Sequence, residues 1–188
     1  MTPGVSERVL WTIDDLDGFP DNSNRYEIID GELFVTRSPH LEHQFAVGAV
    51  HAELRQWSKQ SQLGMAAIAP GVIFSEADAV IPDVIWISRD RLNQLLDEAG
   101  HLTGAPELVV EVISESAADK KRDKETKLKQ YSVHGVIEYW IVDRWLRMIE
   151  VYRRENGILK KVLTLFEADD LTSPLLPEFS CRVGTLFA

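Results

Sequence analysis

The chain has 188 residues, 45% of them hydrophobic, and a formal net charge of -10. That length suits one domain with a substantial core, and the acidic balance excludes proteins that coat nucleic acid or anionic membranes by bulk attraction, which carry a basic surplus. Cys181 is the only cysteine, so no internal disulfide forms, no run approaches the roughly 18 apolar residues of a membrane span, and no export-type leader is visible, which together predict a soluble, cytoplasmic protein.

Residues 1–23 mix acids, Pro and Gly with a few apolar side chains such as Trp11 and Phe19, and are expected to form an arm docking on a single domain over 24–188. RYEIIDGELFVT, Arg25 to Thr36, places two β-rich runs around Asp30-Gly31, a dipeptide suited to the positive φ angles of a tight hairpin. From Leu41 to about Gln60 the residues Phe45, Val47, Val50, Leu54 and Trp57 recur at helical spacing and predict one buried face, with Gly64 after the end. MAAIAPGVIF and AVIPDVIWIS predict two strands, followed by a short polar helix around Arg89 to Ala99.

ELVVEVIS, introduced by Gly104-Ala105-Pro106, predicts a further strand, and a highly charged helix follows from about Ser116 to Val133, stopped by His134-Gly135. IEYWIVD, RMIEVYRR and ILKKVLTLF predict three more strands, joined at Arg144 to Leu146 and at Glu155-Asn156-Gly157. No repeat, low-complexity tract or splitting linker is present. The order of elements predicts an α/β sandwich around one mixed central sheet flanked by helices.

Two of these strands carry an acid where apolar residues belong. Alternation groups Glu107, Val109, Glu111 and Ile113 on one face, and Ile81, Asp83, Ile85 and Ile87 on one face of the other strand. An unpaired buried carboxylate costs several kcal/mol, so each needs a basic partner, a proton or a cation. Pro82 cannot donate to a ladder and marks a bulge or edge beside Asp83. Two acids sharing a site repel, and a hard cation neutralises both. Mg²⁺ commonly takes one or two carboxylates plus waters and substrate phosphate. The ordinary alternative keeps Asp83 and Glu111 apart, each in its own salt bridge.

The charged helix holds Lys120, Lys121, Arg122, Lys124, Lys127 and Lys129 against Asp119, Asp123 and Glu125, a net of +3 over 119–129 in a chain of net -10. Such a basic patch suits a phosphate backbone. Asp123, Lys127 and Tyr131 are spaced at four and line one helix face; the ordinary reading is a surface pair between Asp123 and Lys127.

RYEIIDGEL, the EHQ of Glu42 to Gln44, IPDV, and GAPELVVEVISESAADKKRDKETKLKQYSVHGVIEYWIVD together resemble the Uma2 family of proposed endonucleases, formerly a domain of unknown function, within the PD-(D/E)XK restriction-endonuclease-like superfamily. The resemblance runs from about Arg25 to the C-terminal strands. It implies a restriction-endonuclease-like fold, with Pro82-Asp83 similar to the PD motif and Glu111 to the acid of the second half. The lysine expected two positions on is Ile113 here, and the residue matching its role is Lys127 on the next helix.

By the same resemblance, Asp83 and Glu111 would hold Mg²⁺, or Mn²⁺ in its place, for hydrolysis of phosphodiester bonds in nucleic acid, DNA foremost, with Lys127 orienting water or offsetting charge. Glu42 and His43, at the start of the first long helix, are secondary candidates for an extra ligand or proton carrier, and Asp123 and Tyr131, on the helix face of Lys127, are secondary candidates as well. The ordinary reading of Glu42 and His43 is an acidic helix start and a polar contact. Glu27 is a weaker candidate, and Tyr131, Tyr139 and Trp140 read as core aromatics. The runner-up function is a nuclease-like fold without turnover, acting as a nucleic-acid-binding or oligomerisation module. A metal-free acid pair acting on sugars lacks an aromatic groove. The last two strands offer an exposed edge suited to a homodimer contact.

Overall fold

The structure, a computed structural model, describes residues 9–20, 22–113 and 122–187, and the backbone but not the side chain of Asp123. Its centre is a six-stranded mixed sheet in the order β10-β9-β8-β7-β6-β3. The strands are β3 (Gly64–Ile68), β6 (Val84–Ser88), β7 (Leu108–Val112), β8 (Glu138–Asp143), β9 (Met148–Glu155) and β10 (Ile158–Phe166). Within this sheet β7 and β8 pair in parallel and the other described pairs are antiparallel; the intervening crossover brings its helix onto one face of the sheet. A four-stranded antiparallel sheet, order β2-β1-β5-β4, is built from β1 (Arg25–Ile29), β2 (Glu32–Thr36), β4 (Val72–Ser75) and β5 (Asp78–Val80).

Alternation along the central strands divides the core in two. Leu108, Val110 and Val112, with Val84, Trp86, Trp140 and Val142, pack under the helix α2 (Leu41–Ser61) and the C-terminal hairpin of β11 (Asp170–Ser173) and β12 (Leu176–Arg182). Val109 and Ile113, with Ile85, Ile87, Tyr139 and Ile141, pack against the small sheet and the crossover helix. The even strand faces expected from sequence therefore go to one layer and the odd faces, which carry Asp83 and Glu111, to the other.

Local chemistry explains most boundaries. The β1–β2 hairpin turns on Asp30 and Gly31 at φ 52° and 71°, and the β9–β10 turn on Asn156 and Gly157 at 52° and 83°, the paired positive values that match strand twist. Between Val9 and Pro20 the chain lies on the small sheet: Trp11 N donates to Gly31 O, a short helix α1 spans Ile13–Leu16, and the Phe19 ring stacks on Tyr26 with centroids 4.7 Å apart. Gly135, at φ 95°, stops the crossover helix.

Several expectations are corrected. MAAIAPGVIF is two strands, β3 and β4, and AVIPDVIWIS is β5 and β6, broken near Pro70 and Pro82 so that each run supplies one strand to each sheet. The helix expected to Ala99 is α3 (Arg89–Leu95), ended by Leu96 in extended conformation. The start of the crossover helix, with Lys120 and Lys121, lies outside the described residues. From Arg122 it is a π-helical turn, Arg122–Thr126, continuing as α4 (Lys127–His134). Phe45, expected on the buried face of α2, is 62% exposed, because the buried stripe of α2 runs through His43, Ala46, Val47, Val50, Leu54 and Trp57 and at helical spacing Phe45 falls on the opposite side. The C-terminal hairpin and its 3₁₀ turn (Val183–Phe187) had no clear sequence signal.

Candidate active site

The β6–β7 register explains how the two acids meet. Val84 pairs with Val110, Ile85 with Val109 and Trp86 with Leu108; extended by one residue, this antiparallel register sets Asp83 opposite Glu111. Opposed residues of such a pair project to the same face. Pro82 ends the ladder immediately before, leaving Asp83 in a bend. There Asp83 Oδ2 accepts the amide of Val112 at 2.9 Å. Both acids line one cavity of about 370 Å³, together with Glu27 and Lys127.

Lys127 enters the cavity from the first turn of α4 and is only 2% exposed. Its Nζ stands 2.9 Å from Glu111 Oε1 and 2.9 Å from Glu27 Oε1. Tyr131, one turn on, donates from its hydroxyl to the same Glu111 oxygen at 2.7 Å. The expected helix face is thus realised through Lys127 and Tyr131, but as a buried anchor rather than the surface ion pair of the ordinary reading. The Asp123 side chain lies outside the described residues. Glu27 also accepts the amide of Ile81 at 2.9 Å, tying β1 to the segment before Asp83.

Asp83 has its own compensation. Arg25 Nη1 donates to Oδ1 at 2.9 Å, and His43 Nε2 lies 3.1 Å from the same oxygen. Burial pushes this carboxyl up, but the hydrogen bond and charge of His43, the Val112 amide and the Arg25 guanidinium outweigh it and bring the pKa to about 2. For Tyr131, burial and then the negative charge of Glu111 push the phenol well above its ordinary value, so it remains a hydrogen-bond donor.

The secondary candidates separate. His43, one residue into α2 beyond Glu42, is buried against Asp83 and so exceeds the ordinary polar contact expected of it. Glu42 stays exposed and pairs with Arg144, in keeping with an acidic helix start. Ile113, where the superfamily pattern has lysine, is fully buried in the core. Tyr139 and Trp140 are core aromatics as expected.

Sequence reasoning undervalued Glu27 and missed Arg25 and Arg144. Glu27 bore the same signal as Glu111, an acid between β-formers in a strand, and Arg25 shares its face by alternation. Arg144 gave no signal, since it lies in the turn after β8. The cavity lining now counts five permanent cations, Arg25, Arg37, Arg122, Lys127 and Arg144, against three acids, Glu27, Asp83 and Glu111. An acidic protein therefore lines this cavity with more cations than acids. Among the described residues, Arg144 Nε and His43 Nδ1, in two side chains that line this cavity, are buried without a hydrogen-bond partner.

No group of three or more His, Cys, Asp or Glu side chains among the described residues is placed to hold a metal. Two carboxylates on one cavity wall nevertheless suit Mg²⁺, which fills its remaining positions with water and phosphate oxygen. The residues fit an ion of that kind and do not form a closed protein cage.

No helix among the described residues is long and apolar enough to cross a membrane. A comparison with curated proteins finds no match. Among solved structures, the chain is similar to a crystal structure described as a putative nuclease belonging to DUF820 from Anabaena variabilis, at 17% identity and a TM-score of 0.75, covering 94% of this chain and 97% of that one. At that identity the likeness establishes the fold. The family model of Uma2, described as "Putative restriction endonuclease", matches residues 13–184. A match over nearly the whole chain, on the fold that the solved structure shares, means that this protein belongs to the Uma2 family.

Proposed function

We propose that the protein is a divalent-metal-dependent nuclease hydrolysing phosphodiester bonds of nucleic acid, with Asp83 and Glu111 as the metal-binding pair. The observation carrying this reading is the register that sets Asp83 opposite Glu111 in a cavity where cations outnumber acids. Acids at the floor suit a metal, and arginines at the wall suit a phosphate; either feature alone would fit a structural salt-bridge cluster.

A Mg²⁺ or Mn²⁺ ion held there supplies Lewis acidity toward the scissile phosphate and the attacking water. Lys127 keeps Glu27 and Glu111 together against their mutual repulsion, and its ammonium charge stands beside the phosphate position. Tyr131 fixes the Glu111 carboxylate by donating to Oε1. Arg144, which lines the cavity, offers its guanidinium charge to a phosphate oxygen. Arg25 and His43 both stand on Asp83 Oδ1, so a metal ligated by that oxygen would displace one of them, and Arg25 is the more exposed member of its ion pair.

Calorimetric titration with Mn²⁺, and cleavage assays on single-stranded, duplex and branched DNA and on RNA, test this reading. Wild-type protein should bind Mn²⁺ and cut with metal but not with chelator, and Asp83→Asn and Glu111→Gln should each lower cleavage by about 100-fold or more, the loss of one preorganised electrostatic group. Undiminished cutting by both variants, or cutting in chelator, overturns the assignment. The reading of a binding module without turnover is favoured by Ile113 in the core and by the two side chains, Arg25 and His43, already on Asp83. Metal-independent nucleic-acid binding with no cleavage of any substrate would establish it instead.

A further inference from the structure

Beside the first cavity lies a second cleft of about 550 Å³, and Arg144 lines both. Its wall carries the rings of Phe45, Trp145 and Phe187 together with Arg147. Phe45 is 62% exposed and Trp145 37% exposed. The Arg144 guanidinium lies 3.8 Å from the Trp145 ring centroid, and that of Arg147 5.4 Å from the Phe187 ring. The same two segments carry both sites: Phe45 follows His43 by two residues on α2, and Trp145 follows Arg144 in the β8–β9 turn.

Aromatic faces open to solvent beside guanidinium groups, continuous with a cation-rich cavity, are the parts from which single-strand binding sites are made: bases stack on the rings and the cations follow the backbone. Both arginines are already paired, Arg144 with Glu42 and Arg147 with Glu167, but both glutamates are exposed. An ion pair whose acid is exposed to water contributes little, and its carboxylate gives way to a phosphate. A purely apolar partner would leave these two charge pairs desolvated, which disfavours a protein surface as the occupant.

We infer that this cleft receives an unpaired nucleobase, stacked on Phe45 and Trp145, adjacent to the phosphate held in the first cavity. The inference rests on the nuclease reading for its orientation and adds a substrate class: single-stranded or locally unpaired nucleic acid. A base inside an intact duplex shows only its edges and cannot supply a face to these rings.

The test is fluorescence anisotropy of the full chain, in chelator so that nothing is cut, with a labelled single-stranded oligonucleotide, the same sequence as duplex, and an abasic chain of equal length. The base-bearing single strand should bind about 10-fold or more tightly than the abasic chain and the duplex. Phe45→Ala and Trp145→Ala should each weaken single-strand binding about 5- to 100-fold, the worth of one base–aromatic stack, and leave abasic binding unchanged. Trp145→Phe should recover most of the loss, which also answers a folding defect. Met65→Ala, equally exposed on the opposite edge strand β3, should change nothing. Equal affinity for base-bearing and abasic chains, or unchanged binding by both alanine variants, overturns the inference even if metal-dependent cleavage is found. Base-dependent binding that the variants weaken, without cleavage in any metal, upholds the cleft and removes the nuclease reading alone. Loss of self-association in the variants with no effect on oligonucleotide binding would assign the cleft to a second copy and overturn the inference.

Discussion

Lys127 Nζ stands 2.9 Å from Glu111 Oε1, joining the first turn of α4 to a strand residue sixteen positions earlier. Both side chains are almost wholly buried, and a second acid, Glu27, reaches the same ammonium from the small sheet. One lysine thus holds the central sheet, the small sheet and the crossover helix together. The same contact answers why an acid sits among valines and isoleucines in β7: a buried cation and a buried phenol compensate it on the side where it faces the cavity.

Removing that lysine leaves two buried carboxylates facing each other without their cation. Lys127→Met is expected to lower stability by about 3–5 kcal/mol, the range for breaking a buried ion pair from one side. Lys127→Arg should recover only part, since a planar fork does not fit a site built around one Nζ. Tyr131→Phe, which removes one donor to a charged acceptor, should cost about 1.5–3 kcal/mol. Urea unfolding measures all three, and a Lys127→Met protein as stable as wild type would refute the anchoring role.

Acid should weaken the fold through Asp83. Its folded-state pKa of about 2 lies below the ordinary 3.8, so the native state binds fewer protons than the unfolded chain between those values. The stabilisation is fully present above about pH 4 and is lost as pH falls through about 2, to the order of 2 kcal/mol. Unfolding of wild type and Asp83→Asn, compared at pH 5 and pH 2, should show the wild type losing about that much more. Parallel losses in the two proteins would show that His43 and Arg25 do not hold the carboxylate as charged.

Gly64 opens β3 where the strand approaches β6 more closely than a side chain allows. A Cβ there would clash with Ile87 O and meet the Trp86 ring at 2.5 Å. Gly64→Ala should therefore destabilise by about 1–3 kcal/mol, as overpacking does. Thermal or urea unfolding reads this directly, and an unchanged midpoint would mean that the edge strand shifts freely. Metal affinity should survive the change, because β3 lies on the far side of β6 from β7.

Residues that act through local chemistry were legible in the sequence. Asp30-Gly31 and Asn156-Gly157 mark their hairpins because positive φ is a property of the dipeptide, and Gly135 ends its helix for the same reason. Alternation in ELVVEVIS assigned Glu111 to its face, and a spacing of four aligned Lys127 with Tyr131. Family resemblance, carried by long contiguous motifs, was equally visible, and the match over residues 13–184 shows it.

Tertiary structure alone decided the rest. Sequence could name Asp83 and Glu111 but could not set them opposite each other, because strand register is a relation between segments nearly thirty residues apart. It could not separate β4 and β5 from their neighbours β3 and β6, since a proline marks a break without saying which sheet the chain joins next. It placed Phe45 on the buried face of α2, whereas packing selects the stripe through Ala46, Val47 and Val50 and leaves Phe45 on the other side. Arg25 and Arg144 entered the cavity from a hairpin strand and a turn for the same physical reason: local propensity shapes each element, and only packing decides which side chains of distant elements share one small volume.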